Sequence, residues 1–219
     1  VTTVTNNDNS VICLHDQSPA LPRGRLTFAI DATASRAPTW AIACDLQAKM
    51  FREAAPIGRL AVQLVYYRAS ECQASKWVSS GEQLAQLMNR IEFQSGNTQI
   101  GRVLGRVLRE TNKAPVQAVI IIGDACEESL DELAGMARKL GTLRTPLFLF
   151  HEGGDPDVRK AFQLLALKSG GRYFKFNANK SGAIQQLSEQ LNAVARLAVG
   201  DIRALQRIGA TAVLTDQRG

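Results

Sequence analysis

The sequence predicts an α/β domain: a mostly parallel central sheet of about six strands, one antiparallel edge strand, and helices over both faces. Three observations carry this. Short apolar runs alternate with amphipathic stretches at helical spacing from residue 25 to residue 200. Two neighbouring runs stand too close for a helix to fit between them, which makes them a hairpin. The most hydrophobic run, Val116–Ile122, has the length and composition of a strand buried on both sides at the centre of a sheet.

Residues 1–24 read as an N-terminal arm. The opening VTTVTNNDNS is polar, residues 11–14 (VICL) suit a short edge strand, and Pro19, Pro22 and Gly24 mark a turn. Leu26–Ile30 is the first buried strand. Pro38–Ala54 is a helix with proline in its first turn, broken by Gly58. Leu60–Tyr67 and Glu71–Ser79 are the hairpin strands. Glu82–Ile91 is a short helix with Leu84, Leu87, Met88 and Ile91 on one face. Gln94–Thr98 is a loop. Ile100–Glu110 is a helix with Val103, Leu104, Val107 and Leu108 on its apolar side and Arg102, Arg106 and Arg109 on the other. Leu130–Leu140 is a helix, Pro146–Phe150 a strand, and Asp157–Lys168 a helix stopped by Gly170 and Gly171. Arg172–Phe176 is the last strand. Ile184–Val199 is a helix with Ile184, Leu187, Leu191 and Val194 as its buried stripe. The domain therefore spans 25–200, and 201–219 is an extension in which Asp201–Ile208 continues the helix past Gly200 before a polar tail.

Composition narrows the function classes. With 219 residues, 45% hydrophobic and 21% charged, the chain has the balance of a soluble globular protein. It is long enough to bury roughly 70% of the surface of its unfolded chain without disulfide staples. No apolar run reaches the ~18–20 residues that a membrane helix needs. The net charge of +6 is spread over both halves, with no basic tail. That favours acidic partners mildly and nucleic acid weakly. Four cysteines, Cys13, Cys44, Cys72 and Cys126, form no Cys-x-x-Cys, and with two histidines no zinc pattern assembles. Buried free thiols in a reducing compartment are expected, and with no signal-peptide pattern at the start the expectation is cytoplasmic.

In a sheet of this kind ligands bind beyond the carboxyl ends of the strands. The first strand ends in Asp31-Ala32-Thr33-Ala34-Ser35. The loop before the Ile100 helix carries Thr98 in Gly96-Asn97-Thr98-Gln99-Ile100-Gly101. The central strand ends in Gly123-Asp124. These donors are all oxygen, the set a hard divalent cation prefers; Mg²⁺ takes octahedral oxygen at about 2.0–2.1 Å and keeps several waters.

DATAS, GNTQIG and the aspartate after VIIIG, in that order and at those strand ends, resemble the three parts of the metal-ion-dependent adhesion site of von Willebrand factor A domains. Gly170-Gly171-Arg172-Tyr173-Phe174 resembles the segment before that family's last strand. The resemblance spans about residues 25–200 and implies a Rossmann-like three-layer fold and an intracellular, bacterial-type member of a larger assembly. It implies a metal site of Asp31, Thr33, Ser35, Thr98 and Asp124. Thr33 and Ser35 would ligate directly, Asp31 and Asp124 mainly through water, and Thr98 either way. The implied cofactor is Mg²⁺, with Mn²⁺ and Ca²⁺ as alternatives. Neutral hydroxyls neutralise little of the ion's charge, so an Asp or Glu of a protein partner can complete the shell. Three positions depart from the pattern: Arg36 follows Ser35, and Gly123-Asp124-Ala125 stands where Thr-Asp-Gly is usual.

The remaining features have rival readings. Arg102, Arg106 and Arg109 are a solvated helix face, or, with Arg36, they meet an acidic partner or a phosphate backbone. In the second case the chain binds RNA and the metal site is structural or silent. Glu127, Glu128, Asp131 and Glu132 are ordinary dipole partners in the first turn of a helix, against a second metal site. Trp40 and Trp77 are packed rather than ligand platforms, and Cys126 packs rather than senses oxidation. Gly96–Gly101 has the glycine spacing of a P-loop, but Arg102-Val103 stands where Lys-Ser/Thr is required. No Gly-x-Gly-x-x-Gly follows the first strand, and no Gly-x-Ser-x-Gly is present. His15 and His151 are the sole histidines for a triad, with His151 ending a strand where it can face the cleft. Without a general base near the oxygen cluster, a binding module is expected and an enzyme is not.

Overall fold

The computed structural model describes residues 24–32, 37–68, 70–94 and 96–206. Along the chain come β1 (Gly24–Asp31), α1 (Ala37–Ala54), β2 (Leu60–Arg68), β3 (Glu71–Val78), α2 (Gly81–Met88), α3 (Ile100–Lys113), β4 (Ala118–Gly123), α4 (Leu130–Thr142), β5 (Leu147–Glu152), α5 (Pro156–Ser169), β6 (Arg172–Phe176) and α6 (Ala183–Ala198). They build one sheet in the order β3-β2-β1-β4-β5-β6. Every neighbouring pair is parallel except β2 and β3, which form the expected antiparallel hairpin.

Period-two alternation divides the sheet into two cores. Leu26, Phe28 and Ile30 of β1, with Ile120, Ile122, Phe148 and Phe150, pack under Leu46 and Met50 of α1, Leu84 and Met88 of α2, and Leu187, Leu191 and Val194 of α6. Ala29, Val119, Ile121, Leu147 and Leu149 face the other way, onto Val103, Leu104 and Val107 of α3, Leu133 and Leu140 of α4, and Phe162 and Leu165 of α5. All six residues of β4 are buried, as a central strand requires. This is the three-layer architecture expected from the alternation.

The topology matters for function because the winding reverses between β1 and β4. From β1 the chain builds outward through β2 and β3; from β4 it builds the other way through β5 and β6. Helices α1 and α4, which follow β1 and β4, therefore lie on opposite faces, and in such sheets the crevice for ligands is above the carboxyl ends of those two strands. At the opposite pole, Gly24 opens β1 against the last turn of α6: a Cβ there would lie 2.2 Å from the Ala198 carbonyl oxygen.

Several boundaries differ from the sequence expectation. The strand expected from Val116 begins at Ala118, and the strand ending at Phe150 continues through His151 to Glu152. The short second helix ends at Met88, not Ile91, with Asn89 as its C-cap. The helix expected to run on through Asp201–Ile208 is interrupted. Gly200 takes a φ of +110°, and a separate helical turn holds Ala204–Gln206. The strand suggested at 11–14, His15, Cys13 and the tail beyond Gln206 lie outside the described residues, as do the side chains of Trp40 and Cys44.

Candidate functional site

Three segments meet above the β1–β4 crevice. Asp31 is the last residue of β1 and is buried; Ala32 follows it, donating its amide to the Tyr67 carbonyl (2.9 Å) and accepting from the Gln94 amide (3.3 Å). That second bond draws the 94–99 loop to the end of β1. Asp124 follows Gly123 directly, half-buried, two residues beyond the Ile30–Ile122 pair that ties β1 to β4. The 94–99 loop is then joined to the loop after β4 through Thr98 and Glu127. The Glu127 carboxylate accepts from the Thr98 amide (2.9 Å) and the Thr98 hydroxyl (3.3 Å), and the Glu127 amide donates back to Thr98 Oγ1 (3.2 Å).

Of the five expected metal ligands, Asp31 and Asp124 stand at the same end of neighbouring strands, and Thr98 is tied to the loop after β4 through Glu127. Thr33 and Ser35, and with them Arg36, lie outside the described residues. The donor chemistry suits a hard cation. A hydroxyl has one proton to give and two lone pairs. Thr98 gives its proton to Glu127 and takes the Glu127 amide on one lone pair, which leaves the other for a cation. Among the described residues no three His, Cys, Asp or Glu side chains cluster at metal-holding distance.

Glu127 and Glu128 correct the sequence reading. Helix α4 starts at Leu130, so only Asp131 and Glu132 occupy its first turn. Glu128 reaches back to α3 instead: its carboxylate accepts from the Gly101 amide (2.9 Å) and from the Ile100 amide. It serves the positive end of a helix, as expected of an acid in this region, but of a helix 28 residues earlier. The signal was indirect. Gln99, the N-cap of α3, makes no side-chain capping bond, and a helix start with no Ser, Thr, Asp or Asn at that position calls for a cap from elsewhere. Glu128→Ala is expected to cost about 1–2 kcal/mol in urea unfolding, the range of a lost N-cap. It should also speed amide exchange at Ile100 and Gly101 before exchange in the β4 core is affected.

Beneath the crevice the side chains are packed. His151, paired with Gly123 across β4–β5, is fully buried rather than open to the cleft. Its Nδ1 lies 2.9 Å from the Tyr173 hydroxyl, and its ring meets Phe162 edge-on. Burial, and then the nearby Lys175 ammonium, lower its pKa below the ordinary histidine value, which keeps the ring neutral. Cys126 is half-buried against the α3–α5 core, and burial together with the charges of Glu128 and Glu127 raises its pKa. A thiol held protonated is a poor nucleophile, so the packing reading of Cys126 stands.

The basic helix face is only partly at this site. Arg102, near the start of α3, donates to the Ser70 carbonyl at the turn between β2 and β3 (2.6 Å). Arg106 lies a turn further from the crevice, its Nε 4.0 Å from Glu110. Trp77 is packed, as expected: its ring lies on the α3 side of the sheet, Nε1 donates to Glu110 (3.1 Å), and the Arg25 guanidinium sits 3.9 Å over the ring.

The same arrangement recurs in solved structures. The chain superposes on the VWA domain of SpRpn10 with a TM-score of 0.63, at 11% identity over 82% of this chain and 98% of that one. The chain has the von Willebrand factor A fold. The vWF domain of the type V pili tip protein Mfa5 from Porphyromonas gingivalis gives a TM-score of 0.58 at 10% identity, over 77% of this chain and 94% of that one. Proximal thread matrix protein 1 from the mussel byssus, solved with a zinc-occupied MIDAS motif, gives 0.60 at 17% identity; the match covers 80% of this chain and 45% of that one. No protein-family model matches the sequence, and no curated protein matches it. At these identities the likeness is one of VWA architecture, and the chemistry of the crevice rests on this chain's own residues.

Proposed function

We propose that this VWA-fold domain is a protein-interaction module that engages an acidic side chain of its partner through a divalent cation, Mg²⁺ in the first instance, held above β1 and β4. The observation that carries the reading is the placement of Asp31 and Asp124 at the same end of neighbouring strands where the sheet's winding reverses, with Thr98 tied to the loop after β4. In the sequence Thr33 and Ser35 follow Asp31 at alternate positions. When bound, the cation offers an electrophilic coordination position. The chain's own part is to orient two carboxylates and three hydroxyls, with Glu127 fixing the rotamer of Thr98. The zinc-occupied MIDAS of the byssus protein supports a metal in a site of this architecture. His151, buried between Phe162 and Tyr173, does not open to the crevice, which supports binding over histidine-based turnover. In this reading the domain works in the cytoplasm as part of an assembly.

Thermal unfolding of metal-stripped protein tests this. A ligand that binds only the native state adds about 2.7 kcal/mol at 100 times its dissociation constant. Millimolar Mg²⁺ or Mn²⁺ should therefore raise the melting temperature of the wild type and leave that of Ser35→Ala or Asp31→Ala unchanged. Ser35→Ala is the informative variant where loss of the buried Asp31 carboxylate lowers stability by itself. An unchanged wild-type melting temperature with both metals would overturn the proposal.

A further inference from the structure

The outer edge of β3 carries a second feature that the metal reading does not use. β3 ends the sheet and pairs with β2 alone, so its outward N–H and C=O groups have no strand beside them among the described residues. At eight residues it is longer than β6, the five-residue strand at the other edge. Helix α3 runs alongside it in the same direction: Arg102 bonds Ser70 at one end, and Glu110 takes the Trp77 N–H at the other. Between these contacts α3 carries Arg102, Arg106 and Arg109 at helical spacing, and the charges of all three act on Cys72 of β3. The carboxylates near this group are engaged: Glu110 holds Arg25 (3.2 Å) and Lys113 (2.9 Å), Glu71 faces Arg68 (3.7 Å), and Glu128 caps α3. The cations outnumber them.

We propose that the β3 edge is a docking site for an extended, acidic segment of a partner protein, which adds as a further strand and turns alternate Asp or Glu side chains toward Arg102, Arg106 and Arg109. Backbone pairing supplies the affinity of such an addition and the side chains facing the helix supply the choice. Charged edges commonly repel other strands; here the repulsion is selective, because an acidic strand relieves the excess that a neutral or basic one meets. A second copy of this chain is disfavoured, since pairing β3 with β3 brings two arginine rows together. Single-stranded RNA is also disfavoured. It stacks bases on open aromatic faces, and Trp77 is packed on the core with Arg25 over its ring.

The test uses the isotope-labelled full chain and an end-capped eight-residue peptide of alternating Glu and Val. Binding is expected with a dissociation constant below about 1 mM, with amide shifts along Glu71–Val78 and no change on adding EDTA. Arg102→Gln and Arg109→Gln should each weaken it by about three- to tenfold, and a Lys–Val peptide should not bind. Of two peptides N-methylated on alternate residues, the one whose methyls face β3 should fail while the other binds. Equal binding by both, indifference to the arginine variants, or no binding at about 1 mM would each overturn the proposal. So would loss of binding with EDTA, which would place the peptide on the metal instead, or polyuridine binding at these arginines with none by the peptide.

Discussion

Gly171→Ala is expected to destabilise the domain by more than about 4 kcal/mol, enough to leave little folded protein at ordinary temperature. At this position β6 starts by crossing the head of β5. A Cβ on Gly171 would stand 1.9 Å from the Leu147 carbonyl oxygen and 2.6 Å from its carbon. Both are backbone atoms in the second strand out from β1, so neither can step aside without disturbing the β4–β5 ladder. The neighbouring Gly170→Ala is the contrast. Gly170 caps α5 in the left-handed region at φ +75°, and nothing lies within 4 Å of its missing Cβ. Its substitution should cost about 1 kcal/mol through backbone strain alone. Chemical denaturation of the two variants separates the cases: similar losses would mean that the crossing at Leu147 is looser than it stands here.

Removing Glu110 should have the next largest effect. Its side chain is 8% exposed and serves Arg25, Trp77 and Lys113 together. Glu110→Ala would leave the Trp77 N–H and the Arg25 guanidinium in a half-buried site without their acceptor. A loss of about 2–3 kcal/mol follows, less than for a fully buried pair because Lys113 and Arg106 reach water. The same carboxylate makes stability depend on pH. Burial pushes its pKa up, but the hydrogen bonds from Lys113 and Trp77 and the charges of Lys113 and Arg106 outweigh that and leave it below the ordinary 4.5. A group whose pKa falls on folding contributes fully above its unfolded value and loses that contribution as the pH drops through the folded one. Wild-type stability should therefore decline below about pH 4.5 more steeply than that of Glu110→Gln. Parallel acid profiles would remove Glu110 from the account.

What the sequence made legible followed from periodicity and strand-end chemistry. The AVIIIG run could sit only where both sides are buried, which made β4 central, and the resemblance set Asp31 and Asp124 at strand ends of one site. The hairpin was readable because Arg68 and Glu71 leave no room for a crossover. The glycine pair before β6 was visible as a pattern, while its two separate causes, a left-handed cap and a backbone crossing, needed the packing. The tie between Thr98 and Glu127, and the Glu128 cap on α3, join residues 27 to 29 positions apart. No local rule reports such a bond; only the poor cap at Gln99 hinted that something distant was required. His151 was misjudged for a related reason. Alternation carries its ring to the α5 side, under Phe162 and Tyr173, and alternation alone does not say where the crevice ends and the core begins.

Gly24, pressed against Ala198, begins the same strand that ends in Asp31. Leu205 is held at that lower pole too, its carbonyl taking the Arg172 guanidinium at the head of β6 (2.9 Å). Both necks by which the polypeptide continues therefore leave from one end, and an eight-residue strand puts that end about 25 Å from the crevice. Asp31, Thr98 and Asp124 lie at the other end of the sheet, so the face above β1 and β4 is clear of both points at which the described chain enters and leaves the domain.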